Sequence, residues 1–431
     1  ARLDGTPLDE ANTPLWPMLR PLADYLARCQ TLLQRGRAVV PVAVLAPLDL
    51  FAFTGAAERL TPPPWHEALL DAGLDWDWIN GDTLRNGRLD GDAFVTPGGH
   101  RYRALLLPEG PALRAEVAER LAACAEAGVA VWAIGRAPDR EEGWLDAADR
   151  DRRVGRAMAL ALQDGRRVAA PSAIGRALRA AGVPAVLPLA PGHGLEFSAR
   201  DDGAQRWLFL RNPRSEPYTL RWPLAGGQGA EVWHAWSGWR QRLTAVDGGV
   251  LLTLPARGAR WLRLAPAADC AAPAAASWVP AAAPFSRALQ GPWQVRGEGR
   301  GLGGRRIAFD ATWPALTDLS QDAARADFAG QLHYRAQVRL GADELARGPL
   351  WLDLGDVADA AIVRVNGSQP VAAPEGPFVF DVHAALRVGD NDLHITVANR
   401  PENARRDPAR PGGLPLPGRR LSRLPTGLLG P

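Results

Sequence analysis

A short segment of aromatic and polar side chains, DWDWINGDTL at residues 75–84, contains the groups in this chain that are best suited to binding a sugar. Aromatic faces stack on sugar rings, and short acids and amides form hydrogen bonds with hydroxyl groups. The segment is predicted to end a buried strand, and ligands of α/β proteins bind beside the carboxyl ends of strands. The candidate binding residues are Trp76, Asp77, Trp78, Asn80 and Asp82. The tryptophans are equally compatible with a core, and Asp82 with the N-cap of a helix at TLRNG.

The other acidic residues do not predict a glycosidase site. Glycoside hydrolysis needs two carboxyl groups that face one bond across a sugar-sized gap. Glu116, Glu119 and Glu126 fall on the faces of a predicted helix. Glu141 and Glu142 fall in a turn, where we expect solvated side chains. We therefore assign no catalytic residue from the sequence.

Motifs of other enzyme classes are absent from the sequence, which has no Gly-Lys-Ser/Thr phosphate loop, no HExxH and no serine nucleophile elbow. The glycine-rich stretch 297–304 opens no helix after a buried strand, so it does not predict a dinucleotide site. An amidotransferase-like thiol needs a sharp turn and a histidine, but Cys124 falls in mid-helix and His100 is alone in a turn. Because Cys29, Cys124 and Cys270 match no zinc or disulfide spacing, we expect no cofactor and no metal.

The composition excludes two classes of partner. All 50 basic residues are arginine, they are interspersed with 47 acidic residues, and the net charge is only +3. This pattern lacks the basic patch of a nucleic-acid-binding protein. No apolar run is long enough to span a bilayer, so we expect no membrane partner. A chain of 431 residues is long enough for several domains with their own cores.

Residues 14–36 are predicted to form an amphipathic helix. Apolar residues recur at spacings of three and four and make one stripe that needs a neighbour, either downstream or missing. They are Leu15, Leu19, Leu22, Leu26, Cys29 and Leu33.

Three further regions follow from the hydrophobic patterns. Residues 37–193 alternate continuous apolar strands, among them 38–47 and 76–80, with helices such as 111–128, which predicts a parallel sheet covered on both faces. Residues 194–266 contain short aromatic-rich strands and predict a small antiparallel β domain. Residues 267–285 read as an Ala/Pro-rich linker, and 286–431 as a second β domain with a coil tail from Pro401.

Apolar and polar residues alternate in parts of the stretch from Leu350 to Asn399. The two-residue period, as in Leu393, Ile395 and Val397, predicts strands that are buried on one face. Asn366-Gly367 suits a tight turn that needs positive φ.

The order of these segments resembles that of the family 106 glycoside hydrolases, the α-L-rhamnosidases. The strings that carry the resemblance are TPLWPMLRPLADYLARCQTLLQRGR (13–37), VAVLAP, GLDWDWINGDTL, YRALLLPEG, WLFLRNP, EVWHAWSGW, LDLGDVADAAIVRVNG, PFVFDVHAAL, GDNDLHITVANRPENARR and the terminal TGLLGP. The resemblance implies an amidotransferase-like or flavodoxin-like α/β domain, a small antiparallel β domain and a galactose-binding-like β-sandwich of the jelly-roll type.

The same resemblance implies that residues 1–36 close a (β/α)8 barrel that carries the catalytic carboxylates and lies upstream of this chain. The full enzyme would invert configuration, act on rhamnose-containing glycans and be periplasmic or secreted in a bacterium. Asn12 and Trp16, in the loop EANTPLWP, would then lie at the substrate rim. The sandwich departs from the family at QPVAAPEGPF and NARRD, so a scaffolding role for it stays open.

Two other functions remain compatible with the sequence. The chain could be a complete, non-catalytic carbohydrate-binding or scaffolding protein, or the accessory region of another glycosidase, such as a β-galactosidase-like enzyme. Fold similarity at this level does not fix the substrate.

Overall fold

The structure is a computed structural model in which helices and strands follow one another in three regions. It describes residues 2–3, 6–7, 15–46, 63–143, 145–236, 238, 240–270, 286–348, 350–358, 360–373, 376, 378–399 and 426–430. The architecture is mixed, with one parallel sheet and several antiparallel sheets.

The N-terminal helix packs on one side only. After a short pair of strands, β1 (Arg2–Leu3) and β2 (Thr6–Pro7), and a 3-10 turn at Trp16–Met18, the chain forms α1 (Leu19–Leu33). Cys29 and Leu32 are buried against Trp207 and Trp261 of a sheet further along the chain. The predicted apolar stripe is covered only in part, because Leu22, Leu26 and Leu33 remain 37%, 48% and 40% exposed. The apolar arc of the helix is wider than the surface that covers it.

The segment that follows α1 contributes to two sheets. β3 (Arg37–Ala38) pairs antiparallel with Arg200 and Asp201, and β4 (Val42–Leu45) enters a parallel sheet. The prediction of one continuous strand over 38–47 is wrong, because the strand is interrupted at Pro41. Proline has no N–H to donate to a sheet, and the Pro41 carbonyl instead accepts from the N–H groups of Arg103 and Ala104.

The α/β region contains a parallel sheet, as the apolar runs predict, and the sheet has five strands. In chain order its elements are β4, α2 (Pro64–Asp71), β5 (Trp76–Ile79), α3 (Gly81–Asn86), β6 (Arg88–Asp90), β7 (Ala93–Val95), β8 (Arg101–Tyr102), β9 (Ala104–Leu107), α4 (Ala115–Glu126), β10 (Ala130–Ile134), α5 (Ala147–Ala161), β11 (Arg167–Val168) and α6 (Ile174–Ala180). The sheet has the order β11-β10-β9-β4-β5, and β6, β7 and β8 form a small separate sheet.

Both faces of the parallel sheet are covered. One face packs on α4 and α5 around Leu105, Leu121 and Met158. The other packs on α2 and α6 around Trp65 and Ile174. Strands buried on both faces explain the continuous apolar runs in the sequence.

The central β region pairs a six-stranded sheet with a two-stranded one. Its strands are β12 (Glu196–Asp201), β13 (Arg206–Arg211), β14 (Tyr218–Pro223), β15 (Gln228–Trp233), β16 (Arg240–Arg242), β17 (Gly249–Leu254) and β18 (Ala259–Pro266). The large sheet has the order β16-β15-β18-β13-β12-β3, and β14 pairs with β17. One face of the large sheet shares a core with β14 and β17, and α1 covers the other face at Trp207 and Trp261.

The C-terminal β region is built from antiparallel strands. Its elements are β19 (Trp293–Arg300), β20 (Arg306–Trp313), β21 (Ala329–Leu340), α7 (Ala342–Leu345), β22 (Trp351–Asp353), β23 (Asp356–Val357), β24 (Ala360–Val365), β25 (Val371–Ala373), β26 (Val379–Asp381), β27 (Gly389–Ala398) and β28 (Leu428–Gly430). The main sheet runs β20-β19-β21-β27-β24-β25. Leu393, Ile395 and Val397 are buried, and the turn at Asn366-Gly367 has positive φ at both residues, as predicted.

The last described strand, β28, is anchored in the core of this region. It pairs with β23, and the Leu428 N–H donates to the Tyr334 hydroxyl at 3.0 Å. The Thr426 N–H donates to Asp318 at 2.9 Å. Gly427 has φ +106° and lies so close to Tyr334 that an added Cβ would be 2.5 Å from the hydroxyl oxygen.

This contact generates a stability prediction for Gly427. We expect Gly427→Ala to destabilise the protein by about 1–3 kcal/mol through backbone strain and by about 1–3 kcal/mol more through the clash. Gly348→Ala is the matched control, because Gly348 has φ +111° with no atom within 4 Å of its added Cβ. The measurement is the urea unfolding midpoint of both variants. Equal losses would show that the Tyr334 contact adds nothing.

Candidate functional site

The order of the parallel strands creates a crevice at their carboxyl edge. Numbered by appearance, the strands β4, β5, β9, β10 and β11 lie in the order 2-1-3-4-5. The chain reverses its direction of growth between β4 and β9, which are neighbours in the sheet. Ligands of open α/β sheets bind outside the strand ends at such a switch point.

A cavity of about 150 Å³ lies at this switch point. Leu45 and Ala46 at the end of β4 line it on one side, and Leu107 and Pro108 at the end of β9 line it next to them. The remaining wall comes from the start of α3, from the loop before α4 and its first turn, and from the loop after β10. Its residues are Asn80, Gly81, Asp82, Arg85, Gly110, Ala112, Leu113, Arg114, Val117, Pro138 and Glu142.

The described charged groups that line the cavity form two ion pairs, each of one arginine and one carboxylate. Arg85 contacts the Asp82 carboxylate one turn earlier in α3. Arg114 lies with its Nε 3.5 Å from Glu142 Oε2. Each of these two guanidinium groups is paired with a carboxylate, so the part of the lining that the structure describes presents donors and acceptors without an excess of charge.

Asn80 and Asp82, both expected from the sequence, therefore line one cavity. Asn80 is also the N-cap of α3, because its Oδ1 accepts from the Thr83 N–H at 2.8 Å. The alternative prediction of Asp82 as the N-cap is wrong, and the cap stands two residues earlier. Gly81 lies against α4, where an added Cβ would be 2.9 Å from Val117 Cγ2, so glycine permits the two helices to approach.

The structure does not bring Asp77 and the two tryptophans to the cavity. Side chains alternate along β5, so Trp76 and Trp78 face α2, where both lie edge-on to Trp65. The Trp76 Nε1 donates to His66 Nδ1 at 3.0 Å, which supports the alternative prediction that Trp76 is a core residue. Trp78 is 44% exposed at the edge of the sheet.

Asp77 instead accepts a hydrogen bond from the Tyr102 hydroxyl at 3.0 Å. Burial and the Asp77 carboxylate raise the pKa of Tyr102. Burial raises the pKa of the neighbouring Asp75 carboxyl to about 7. Repulsion from the Asp77 carboxylate raises this pKa further, whereas the hydrogen bond from the Trp76 N–H lowers it.

The two candidates near the N-terminus stand apart from this cavity. Trp16 begins the 3-10 turn before α1 and is 38% exposed. It is not among the residues that line the cavity. Asn12 lies outside the described residues.

Glu141 is not the solvated turn residue that the sequence predicts. Its side chain is 2% exposed, and its Oε2 accepts from the Ala115 N–H at 2.7 Å. This bond fixes the start of α4 at Ala115, four residues later than predicted, because a tertiary contact satisfies the free N–H of the first turn. The neighbouring Glu142 thereby reaches the cavity beside Arg114.

Within the described ranges, no group of three or more His, Cys, Asp or Glu side chains is arranged to hold a metal ion. Among the helices of the same ranges, none combines the length and apolar character of a membrane span.

Comparison with known proteins places residues 9–245 in the sequence model of a glycoside hydrolase family described as alpha-L-rhamnosidase. A solved structure of rhamnosidase from Novosphingobium sp. PP1Y matches with a TM-score of 0.62 and 26% identity. The match covers 97% of this chain and 41% of the rhamnosidase chain. This chain therefore spans about two fifths of the length of that relative.

A second relative matches a shorter part of the chain. A putative beta-glucuronidase from Formosa agariphila is 29% identical over 136 residues, which are 32% of this chain and 11% of that protein.

The Asp75 carboxyl generates a prediction about pH. In the folded state Asp75 keeps its proton up to about pH 7, whereas in the unfolded state, with the ordinary pKa of 3.8, it releases the proton at a much lower pH. The folded state therefore binds more protons between pH 4 and 7, and stability falls as pH rises through that window. We expect Asp75→Asn to remove the loss of stability that this carboxyl causes as pH rises. The measurement is the urea unfolding midpoint of the variant and of the wild type from pH 4.5 to 7.5. Asp82→Asn, at an exposed ion pair, is the control, and a slope unchanged in Asp75→Asn would refute the assignment.

Proposed function

Since the chain belongs to glycoside hydrolase family 106, the α-L-rhamnosidases, we propose that it is the accessory C-terminal region of an enzyme that removes terminal α-L-rhamnose from glycans or glycosides. Its catalytic carboxylates lie upstream of residue 1 in this proposal, on a (β/α)8 barrel. That enzyme would use the inverting two-carboxylate mechanism and act in the periplasm or outside a bacterial cell.

We extend the proposal to the three regions. The 2-1-3-4-5 strand order supports a flavodoxin-like or amidotransferase-like assignment for the α/β region. The alternating strands around one apolar core support a galactose-binding-like β-sandwich for the C-terminal region.

The observation that carries the proposal is the half-covered apolar arc of α1. One side of the helix packs on Trp207 and Trp261. The adjacent part of the same apolar arc exposes Leu22, Leu26 and Leu33, which we call the leucine stripe. Exposed apolar surface on one helix face is typical of a surface that another part of a protein covers.

The remainder of a rhamnosidase chain is the occupant that we propose for the leucine stripe. The solved rhamnosidase has more than half of its length outside the part that matches this chain. A catalytic barrel seated on the stripe would complete the burial of α1 and join the accessory regions to the site of hydrolysis.

The proposal predicts that the isolated chain is inactive. We expect no release of p-nitrophenol from p-nitrophenyl α-L-rhamnopyranoside, because the catalytic carboxylates are proposed to lie elsewhere. The protein encoded by the whole reading frame is the positive control. Hydrolysis by the isolated chain would contradict the proposal, as would a reading frame without a barrel before Ala1. The latter result would favour a complete carbohydrate-binding or scaffolding protein.

A second prediction concerns the leucine stripe. In the isolated chain we expect Leu22→Gln/Leu26→Gln to change stability by no more than about 0.5 kcal/mol per site, because these side chains are exposed. Leu32→Ala should cost about 2–5 kcal/mol, because Leu32 is buried. Urea unfolding measures both.

In the full-length enzyme the exposed pair should behave differently. There we expect the glutamine variant to unfold at lower urea and to be cleaved faster by protease between barrel and accessory regions. A full-length protein that tolerates both glutamines as well as the isolated chain does would rule out docking at the stripe.

A further inference from the structure

The cavity between β4, β9 and α3 has two chemically different sides. Leu45, Leu107, Leu113 and Val117 give an apolar side. The two ion pairs, Asp82–Arg85 and Arg114–Glu142, give a polar side. A ligand that fits both sides carries polar groups on one part and a hydrocarbon group on another.

The balance of charge argues for a neutral ligand. An anion would meet two guanidinium groups that are already matched by carboxylates. A hydroxyl group can donate to a carboxylate and accept from a guanidinium at once, so a polyol uses both members of each pair.

The volume fits one sugar ring. The cavity has a volume of about 150 Å³. An engineered protein cavity of roughly that volume holds one benzene molecule, so the space suits a single six-membered ring.

We propose that this cavity binds one neutral 6-deoxyhexose, L-rhamnose, with its hydroxyl groups on the two ion pairs and its C6 methyl group on the apolar side. The choice of rhamnose among deoxyhexoses rests on the function proposed above. The existence of a deoxyhexose site rests on the cavity alone. The location at the strand switch point is independent support, because open α/β sheets bind ligands there.

The test is titration calorimetry of the whole chain with L-rhamnose. We expect saturable one-to-one binding with Kd on the order of 1 mM, as suits a ligand of this size. L-lyxose has the same ring configuration without C6, and L-mannose has the C6 hydroxyl that rhamnose lacks. Because the apolar side recognises the methyl group, we expect both sugars to bind about fourfold more weakly, which corresponds to the loss of one buried methyl or methylene group.

Two arginine variants test the polar side. Arg85→Ala removes a guanidinium from the cavity and should weaken rhamnose binding about tenfold or more. Arg88→Ala is the matched control, since Arg88 is a nearby exposed residue paired with Asp90 and does not line the cavity. Circular dichroism of both variants checks that each remains folded.

Several results would overturn the inference. They are the absence of saturable rhamnose binding, equal affinity for rhamnose, lyxose and mannose, or equal affinity in the wild type and Arg85→Ala. Binding of inorganic phosphate that competes with rhamnose would assign the cavity to anions. Stronger binding of L-fucose would refute rhamnose as the ligand.

This test is separable from that of the proposed function. Sugar binding is measured on the chain alone and does not depend on a catalytic barrel. Rhamnose release by the chain would overturn the accessory role and leave the binding result intact, whereas failure to bind would leave the accessory role intact.

Discussion

The short segment from Arg37 to Leu45 holds two regions of this protein together. Its first strand closes the edge of the central antiparallel sheet, where the Val39 N–H donates to the Ala199 carbonyl at 2.9 Å. Its second strand lies inside the parallel sheet. Val39 packs in the core of one region and Val40 in the core of the other. Moving either sheet would therefore expose apolar surface in both, so α1 on one sheet and the cavity on the other belong to a single framework.

Much of the fold could be predicted from the sequence because its patterns depend on local chemistry. Continuous apolar runs predicted a parallel sheet covered on both faces. The alternation of apolar and polar residues predicted strands with one buried face. The failures arise where tertiary contacts decide. Pro41 divides a run that looks continuous, and Glu141 sets the start of α4 from outside the helix. The apolar arc of α1 has more leucines than its sheet covers, and periodicity alone does not say which of them are buried.

Only part of the candidate site could be predicted from the sequence. Asn80 and Asp82 follow a predicted strand, so the rule about strand ends finds them. Arg85, Arg114 and Glu142 complete the polar lining, and no local pattern distinguishes them from other surface charges. Their proximity follows from the strand order, which puts β4 beside β9 although the chain visits β5 between them. Alternation along β5 also separates Asp77 from its neighbours, since adjacent residues of a strand point to opposite faces.

The anchoring of β28 bears on how fast the C-terminal β region folds. The Tyr334 hydroxyl and the Leu428 N–H are 94 residues apart along the chain, so an entropic cost of loop closure precedes their contact. The parallel sheet of the α/β region closes shorter loops, since its most distant described strand pairing joins Val42 to Ala104. Regions dominated by distant pairings reach their native state more slowly than regions of local contacts. We therefore expect the anchoring of β28 to form more slowly than the strand pairings of the parallel sheet.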